Sequence, residues 1–300
     1  MRIHHLSCGA MCPYGGHLWD GVTPGLGPAT IVCHCLLIEA GDNLVLVDTG
    51  FGLGDVDRPR RLSAFFRNAN RVRLRAGQTA RRQIERLGLR PDDVRHIVLT
   101  HLDFDHAGGI EDFPYATVHV MDAELRAATM RRSLLDRNRY RPAQWDDNVS
   151  WQRHRVSRGE RWFGFECVRD LAGLPPEILM VPLAGHTVGH AGIAISGPDG
   201  WKLHAGDAYF YHGEMDPRGY HCTPMLRAYQ KLMEVEREVR LWNQRRLRDL
   251  KQAHGGAITL FCAHDPSEFM ALAKKPPAVE AAAASAQQPA PAALSDAIPS

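Results

Sequence analysis

Apolar residues gather along the chain into short runs bounded by glycine, proline and charge, and these alternate with stretches of helical period. The runs predict strands near Ile31–Glu39, Leu44–Asp48, Ile97–Thr100 and Thr117–Met121, with a helix near Thr79–Leu87. A second set repeats the rhythm: strands near Ile178–Leu183, Ala191–Ser196, Trp201–His204 and Ile258–Cys262, with Gly197-Pro198-Asp199-Gly200 as a hairpin turn. Thr223-Pro224 supplies an N-cap and a first-turn proline for one long helix, in which Leu232, Val235, Val239, Trp242 and Leu250 form an apolar stripe. Strands mixed with helices in both halves give an α/β class, with two sheets packed face to face and helices outside.

Three segments depart from this rhythm. Residues 122–173 are rich in arginine and tryptophan (Trp145, Trp151, Trp162, with Phe163 and Phe165) and are read as a roof over a site, against the plainer reading of an insertion with its own small core. Cys12–Thr30 is loop-like, with five glycines and three prolines, and is open to the same role. Lys274–Ser300 is dominated by alanine and proline and cannot bury a face, so a disordered tail is expected after a domain spanning 1–273.

Charge narrows the partners. Lysine and arginine number 36 against 34 acidic residues, which gives no case for nucleic acid, and the arginine runs read as solvated helix faces. The seven cysteines lack zinc-finger spacing. Cys33 and Cys35, two apart in a strand, read as core residues on one face, and Cys8 and Cys12 as a buried or incidental pair. No stretch has signal-peptide character or the length of a membrane span, so a reducing cytoplasm is expected.

The candidate chemistry lies in His101-Leu102-Asp103-Phe104-Asp105-His106, four metal-binding side chains in six residues at a strand end, followed by Ala107-Gly108-Gly109. A strand cannot aim all four at one point, but a turn leaving its end can. Two imidazoles and two carboxylates exceed the needs of one three-ligand site and suit a pair of divalent ions. Further strand ends carry Gly185-His186-Thr187-Val188-Gly189-His190, His204-Ala205-Gly206-Asp207 and Ala263-His264-Asp265, and Asp48-Thr49-Gly50 closes an earlier strand. Of the sixteen histidines, His4, His5, His154 and His254 are read as surface residues.

This ordered set, from about residue 30 to 265, resembles the metallo-β-lactamase superfamily with its His-x-His-x-Asp-His loop. The resemblance implies an αββα sandwich with metals held at one edge between the sheets. It implies that His101, Asp103 and His186 hold one ion, that Asp105, His106 and His264 hold the other, that Asp207 bridges them, and that Asp48 supports from behind. Asp103 stands where the family usually has histidine. Two zinc ions are expected, but a carboxylate there hardens the site and makes iron or manganese more plausible than in the all-histidine form.

Such a pair lowers the pKa of a shared water and makes a hydrolase of ester-like bonds. The contexts of Asp48 and His264-Asp265 resemble N-acyl homoserine lactone lactonases, and a small-molecule ester-like substrate follows. Those enzymes carry a tyrosine where this chain has Phe210, so Tyr209 or Tyr211 is expected to serve in its place, with Asp105 or Asp207 relaying a proton. A glyoxalase II-like thioesterase, a di-iron oxidoreductase and a non-catalytic binding module on this fold are the alternatives.

Overall fold

The computed structural model describes residues 1–145, 148–156, 161–168 and 171–273; the alanine- and proline-rich segment after Ala273 lies outside them. Seven strands form the first sheet: β1 (Arg2–Met11), β2 (Ile31–Ala40), β3 (Asn43–Val47), β4 (Val72–Arg73), β5 (Val94–Val98), β6 (Thr117–Met121) and β7 (Ser150–His154), in the order β4-β1-β2-β3-β5-β6-β7. A short hairpin, β8 (Arg161–Trp162) with β9 (Phe165–Glu166), precedes the second sheet. That sheet runs β10-β11-β12-β13, from Ile178–Pro182, Ala191–Gly197, Gly200–His204 and Ile258–Phe261. β3, β5, β6 and β7 are parallel, and their successive crossovers bring the ends of β3 and β5 out on one edge.

Both faces of each sheet are apolar, so alternate residues serve different layers. Leu36, Val45, Val47 and Val98 face Ile178, Met180, Ile193 and Phe261 in the seam between the sheets. Their neighbours Leu37, Leu46, Ile97 and Leu99 face outward, onto Ile84 of the Ala80–Arg86 helix and Ala128 of the Asp122–Met130 helix. Behind the second sheet, Leu179, Val181, Leu203 and Leu260 pack on Leu247 and Leu250 of the Arg237–His254 helix. The order of layers is helix, sheet, sheet, helix. No helix of the described residues is long and apolar enough to cross a membrane.

Four expectations change. The single long helix is two, Pro224–Met233 and Arg237–His254, because the N–H groups of Val235 and Glu236 both turn to the carbonyl of Gly185 (2.9 and 3.0 Å). The break shifts the helical phase, leaving Leu232, Val235 and Trp242 exposed. The inward face is instead polar: Gln230, Arg240 and Gln244 form a buried network with Glu214, and Asn243 holds the Ala184 carbonyl. The aromatic residues of 122–173 do not gather over a pocket. Trp145 and Trp151 pack on the outer face of the first sheet, and Trp162 and Phe165 on that of the second. His154 is buried against His119 (3.0 Å), and His5 is half-buried against His34 (2.8 Å), so neither is a surface residue. All seven cysteines are free, with Cys33 and Cys35 buried in the core.

Candidate metal centre

The ends of β3, β5, β12 and β13 and the turn after β10 deliver Asp48, the 101–106 turn, Asp207, His264 and His186 to one edge of the seam. Each delivery has a local cause. Asp48 adopts a left-handed backbone (φ +54°), which turns its carboxylate back onto its neighbours: it accepts from Thr100 N (2.8 Å), Thr100 Oγ1 (2.8 Å) and His106 Nδ1 (2.8 Å). The Thr100 hydroxyl, donating to Asp48, accepts in turn from His101 Nδ1 (2.9 Å). One carboxylate and one hydroxyl thus fix two imidazoles with Nε2 forward. His264 is held likewise by Nδ1 donating to the Val32 carbonyl (2.7 Å).

Gly206 permits the sharp turn before Asp207: its φ is +53°, and a Cβ there would lie 2.5 Å from His190 Nε2. That nitrogen accepts the Asp207 N–H (2.8 Å), while His190 Nδ1 donates to the Leu183 carbonyl (3.0 Å). His190 is therefore neutral, and burial holds its pKa well below the ordinary histidine value. The sequence displays His190, but its part in aiming Asp207 is visible only in the fold.

The Nε2 and carboxylate atoms outline two cages sharing Asp207. In the first, His101 Nε2 and His186 Nε2 lie 3.5 and 3.1 Å from Asp103 Oδ2, and 3.7 and 3.4 Å from Asp207 Oδ2. In the second, His106 Nε2 and His264 Nε2 are 3.4 Å apart and 3.3 and 3.1 Å from Asp207 Oδ1. Asp105 closes that cage, 3.6 Å from His264 and 4.0 Å from His106. Tetrahedral ligation at the usual zinc–nitrogen and zinc–oxygen lengths gives ligand-to-ligand edges of about 3.4 Å. His101 Nε2 and Asp207 Oδ1 are buried with no hydrogen-bond partner, aimed into the cages. Four buried carboxylates, Asp48, Asp103, Asp105 and Asp207, face a single buried guanidinium, a negative excess that bound cations or protonated imidazoles must balance. The donor set fits two divalent ions.

That guanidinium, Arg139, was absent from the sequence reading. It ends the Leu134–Arg139 helix, and the following Tyr140 bridges to the Asp103 backbone. Of the segment expected to roof the site, this residue reaches it. Burial opposes ionisation of Asp103, but Arg139 and then His101 hold its carboxyl well below the usual range. Glu124 was also missed; it is buried behind the centre and accepts from Leu102 N (3.0 Å), Thr187 Oγ1 (2.6 Å) and Gly189 N (3.1 Å).

The structure does not bring the expected tyrosines to the centre. Tyr209 is buried with its hydroxyl donating to Glu268 (3.0 Å), and the Tyr211 hydroxyl lies against Gly21. The reason is the turn itself: only the middle residue of Tyr209-Phe210-Tyr211 faces inward, and Phe210 stacks on His264 (ring centroids 5.1 Å) beside His186 (5.7 Å). Phe210 borders an apolar pocket with Met11, Trp19, Ile31, Leu226 and Tyr229. Tyr229 crosses the Phe210 ring edge-on at 6.0 Å, and its hydroxyl accepts from Asn70 Nδ2 (3.1 Å). Trp19 comes from the Cys12–Thr30 loop.

Residues 30–256 match the family model of the metallo-beta-lactamase superfamily. A probable metallo-hydrolase of Mycobacterium tuberculosis is 42% identical over 269 residues, covering 90% of this chain and 82% of that protein. Among solved structures, an N-acyl homoserine lactone hydrolase with N-hexanoyl-L-homoserine bound at its catalytic metal centre superposes with a TM-score of 0.66 at 19% identity, covering 90% of this chain and 95% of that one. A dizinc quorum-quenching lactonase does so with a TM-score of 0.55 at 14% identity, covering 88% and 87%.

Proposed function

Since the chain belongs to the metallo-beta-lactamase superfamily and is a metal-dependent hydrolase of it, we propose that it opens lactone rings bearing an apolar acyl chain. In this reading His101, Asp103 and His186 ligate one divalent ion, Asp105, His106 and His264 the other, and Asp207 both, with zinc as the metal. Bound there, the ions would supply an activated hydroxide and a Lewis acid for the substrate carbonyl. The chain's own residues do the rest. Asp48, Thr100 and the Val32 carbonyl hold the imidazoles in their tautomers. Asp105, buried at the mouth of the second cage, relays a proton toward the leaving oxygen.

The observation that carries the choice of substrate is the apolar pocket joined to the centre through Phe210, whose ring touches His264 and His186 on one side and Tyr229 on the other. The cavity holds only about 10 Å³ as it stands, so in this reading it seats an acyl chain once Phe210 and its neighbours move aside, with the polar head left at the cages. Tyr229, rather than Tyr209 or Tyr211, is the phenol of this pocket. With its oxygen already accepting from Asn70, its proton is free for the substrate's carbonyl or ring oxygen. Support also comes from the two similar structures, both of lactone-cleaving enzymes.

The test is kcat/KM for a long-chain lactone, a short-chain lactone and a glutathione thioester under one metal condition. Each buried methylene contributes about 0.8 kcal/mol, so kcat/KM rises about fourfold per methylene until the pocket is filled. Tyr229→Phe lowers kcat for the lactone with metal content unchanged, whereas Tyr209→Phe does not. A thioester preference, or no dependence on chain length, would refute the lactone assignment and leave the metal-dependent hydrolase in place.

A further inference from the structure

Asp103 and Arg139 form a buried pair of unusual completeness. Arg139 Nε donates to Asp103 Oδ1 and Nη2 to Oδ2, each at 2.7 Å, and both side chains are inaccessible to solvent. Nη1 is used on the carbonyls of His186 (3.2 Å) and Met233 (3.1 Å). Nη2 also lies 2.8 Å from His186 Nε2. Among the described residues the only carboxylate paired with Arg139 is Asp103; it forms no ion pair with Asp207, although Asp207 Oδ2 is 3.4 Å from His186 Nε2. Nη2 therefore touches both Asp103 Oδ2 and His186 Nε2, the two atoms that form this edge of the first cage.

We infer that Arg139 is a positioning residue that makes Asp103 the equivalent of a neutral ligand, so that the two act as one unit toward the first ion. The two-pronged contact, Nε on Oδ1 and Nη2 on Oδ2, fixes the carboxylate plane with Oδ2 on the side of His101 and His186. It also cancels the charge that a carboxylate adds where an imidazole would add none. The inference rests on the ligand set proposed above.

Charge balance gives the two single substitutions opposite signs. Arg139→Met leaves Asp103 buried without a counter-charge, which the first ion then supplies, so that ion binds tighter. Asp103→His leaves the guanidinium buried without a partner beside the ion, so that ion binds weaker. The double variant restores the balance.

The experiment measures metal per chain by plasma mass spectrometry, affinity by competition with a chromophoric chelator, and Tm with zinc and with excess chelator. For Arg139→Met we expect the chelated protein to lose more Tm than the zinc-loaded one, and zinc affinity at the first site to rise rather than fall. For Asp103→His we expect close to one ion lost per chain. The double variant should hold as many ions as the wild type and melt above either single variant. Equal Tm losses in chelated and loaded Arg139→Met with unchanged affinity would mean a merely structural arginine and overturn the inference. If the single variants do not fold, the double variant decides: wild-type metal content supports the unit, and loss of an ion overturns it. His264→Ala separates the two levels, since retention of every ion in that variant would sink the ligand set itself, whereas its loss of one ion leaves only the Asp103–Arg139 unit on trial.

Discussion

Glu124 offers the sharpest measure of how the centre is braced. It is fully buried, the third residue of the Asp122–Met130 helix, and its two oxygens take three donors from two different loops: Leu102 N beside His101, and Thr187 Oγ1 and Gly189 N beyond His186. Glu124→Ala strands those donors. The threonine hydroxyl can rotate toward another acceptor, but the two amides cannot, and each buried donor left unpaired costs about 1–3 kcal/mol. Against this, burial pushes the Glu124 carboxyl up, so part of the loss is offset by no longer burying an acid. A net loss of about 3 kcal/mol is expected, a large share of the roughly 5–15 kcal/mol available to a folded domain. Glu124→Gln keeps one acceptor and should lose about half as much. Urea unfolding at saturating zinc, followed by far-ultraviolet circular dichroism, reads the difference in midpoint at constant slope. Glu124→Ala within 1 kcal/mol of wild type would refute the bracing role. A Gln variant as unstable as the Ala variant would show that charge, not the three bonds, is what counts.

Two further outcomes are expected. Burial raises the Glu268 pKa from its ordinary 4.5 to about 7, so the folded state favours the protonated acid; its contribution is fully present below pH 4.5 and is lost as pH rises through 7. Glu268→Gln should therefore flatten the fall in Tm between pH 5 and pH 8, and an unchanged profile would count against the assignment. Removing residues 274–300, whose composition cannot supply a core, should leave Tm and turnover unchanged; a large loss of either would mean that this segment docks on the body.

How much of this was legible in the chain depends on the range of the forces involved. The strands could be read because each buries both faces, as at Leu36 to Ile38 and Leu44 to Val47, which leaves unbroken apolar runs. The donor set could be read because a turn compresses four ligating side chains into residues 101–106 and further strand ends repeat the chemistry. Arg139 left no such mark. It is one arginine in an arginine-rich stretch, and only its placement 36 residues beyond Asp103 gives it meaning. The helical stripe through Leu232, Val235 and Trp242 misled for a physical reason: the Gly185 carbonyl interrupts the helix, and the inward face is satisfied by Glu214 hydrogen bonds rather than by apolar contact. The tyrosines flanking Phe210 misled because neighbours in a tight turn point apart.

A short joint between two surface helices is ordinarily where a chain accepts an inserted residue or a fused tag. The Glu234–Glu236 joint is not of that kind. Gly185 sits at φ +131° with no room for a Cβ, which would lie 2.5 Å from the Arg240 backbone, and its carbonyl is taken up by both Val235 and Glu236. Lengthening the joint by one residue would pull on the turn that carries His186. A site chosen for labelling because Val235 is exposed would thus be felt at the metal centre, whereas the exposed Asp199 side of the β11–β12 hairpin offers a point of attachment on the far ends of those strands.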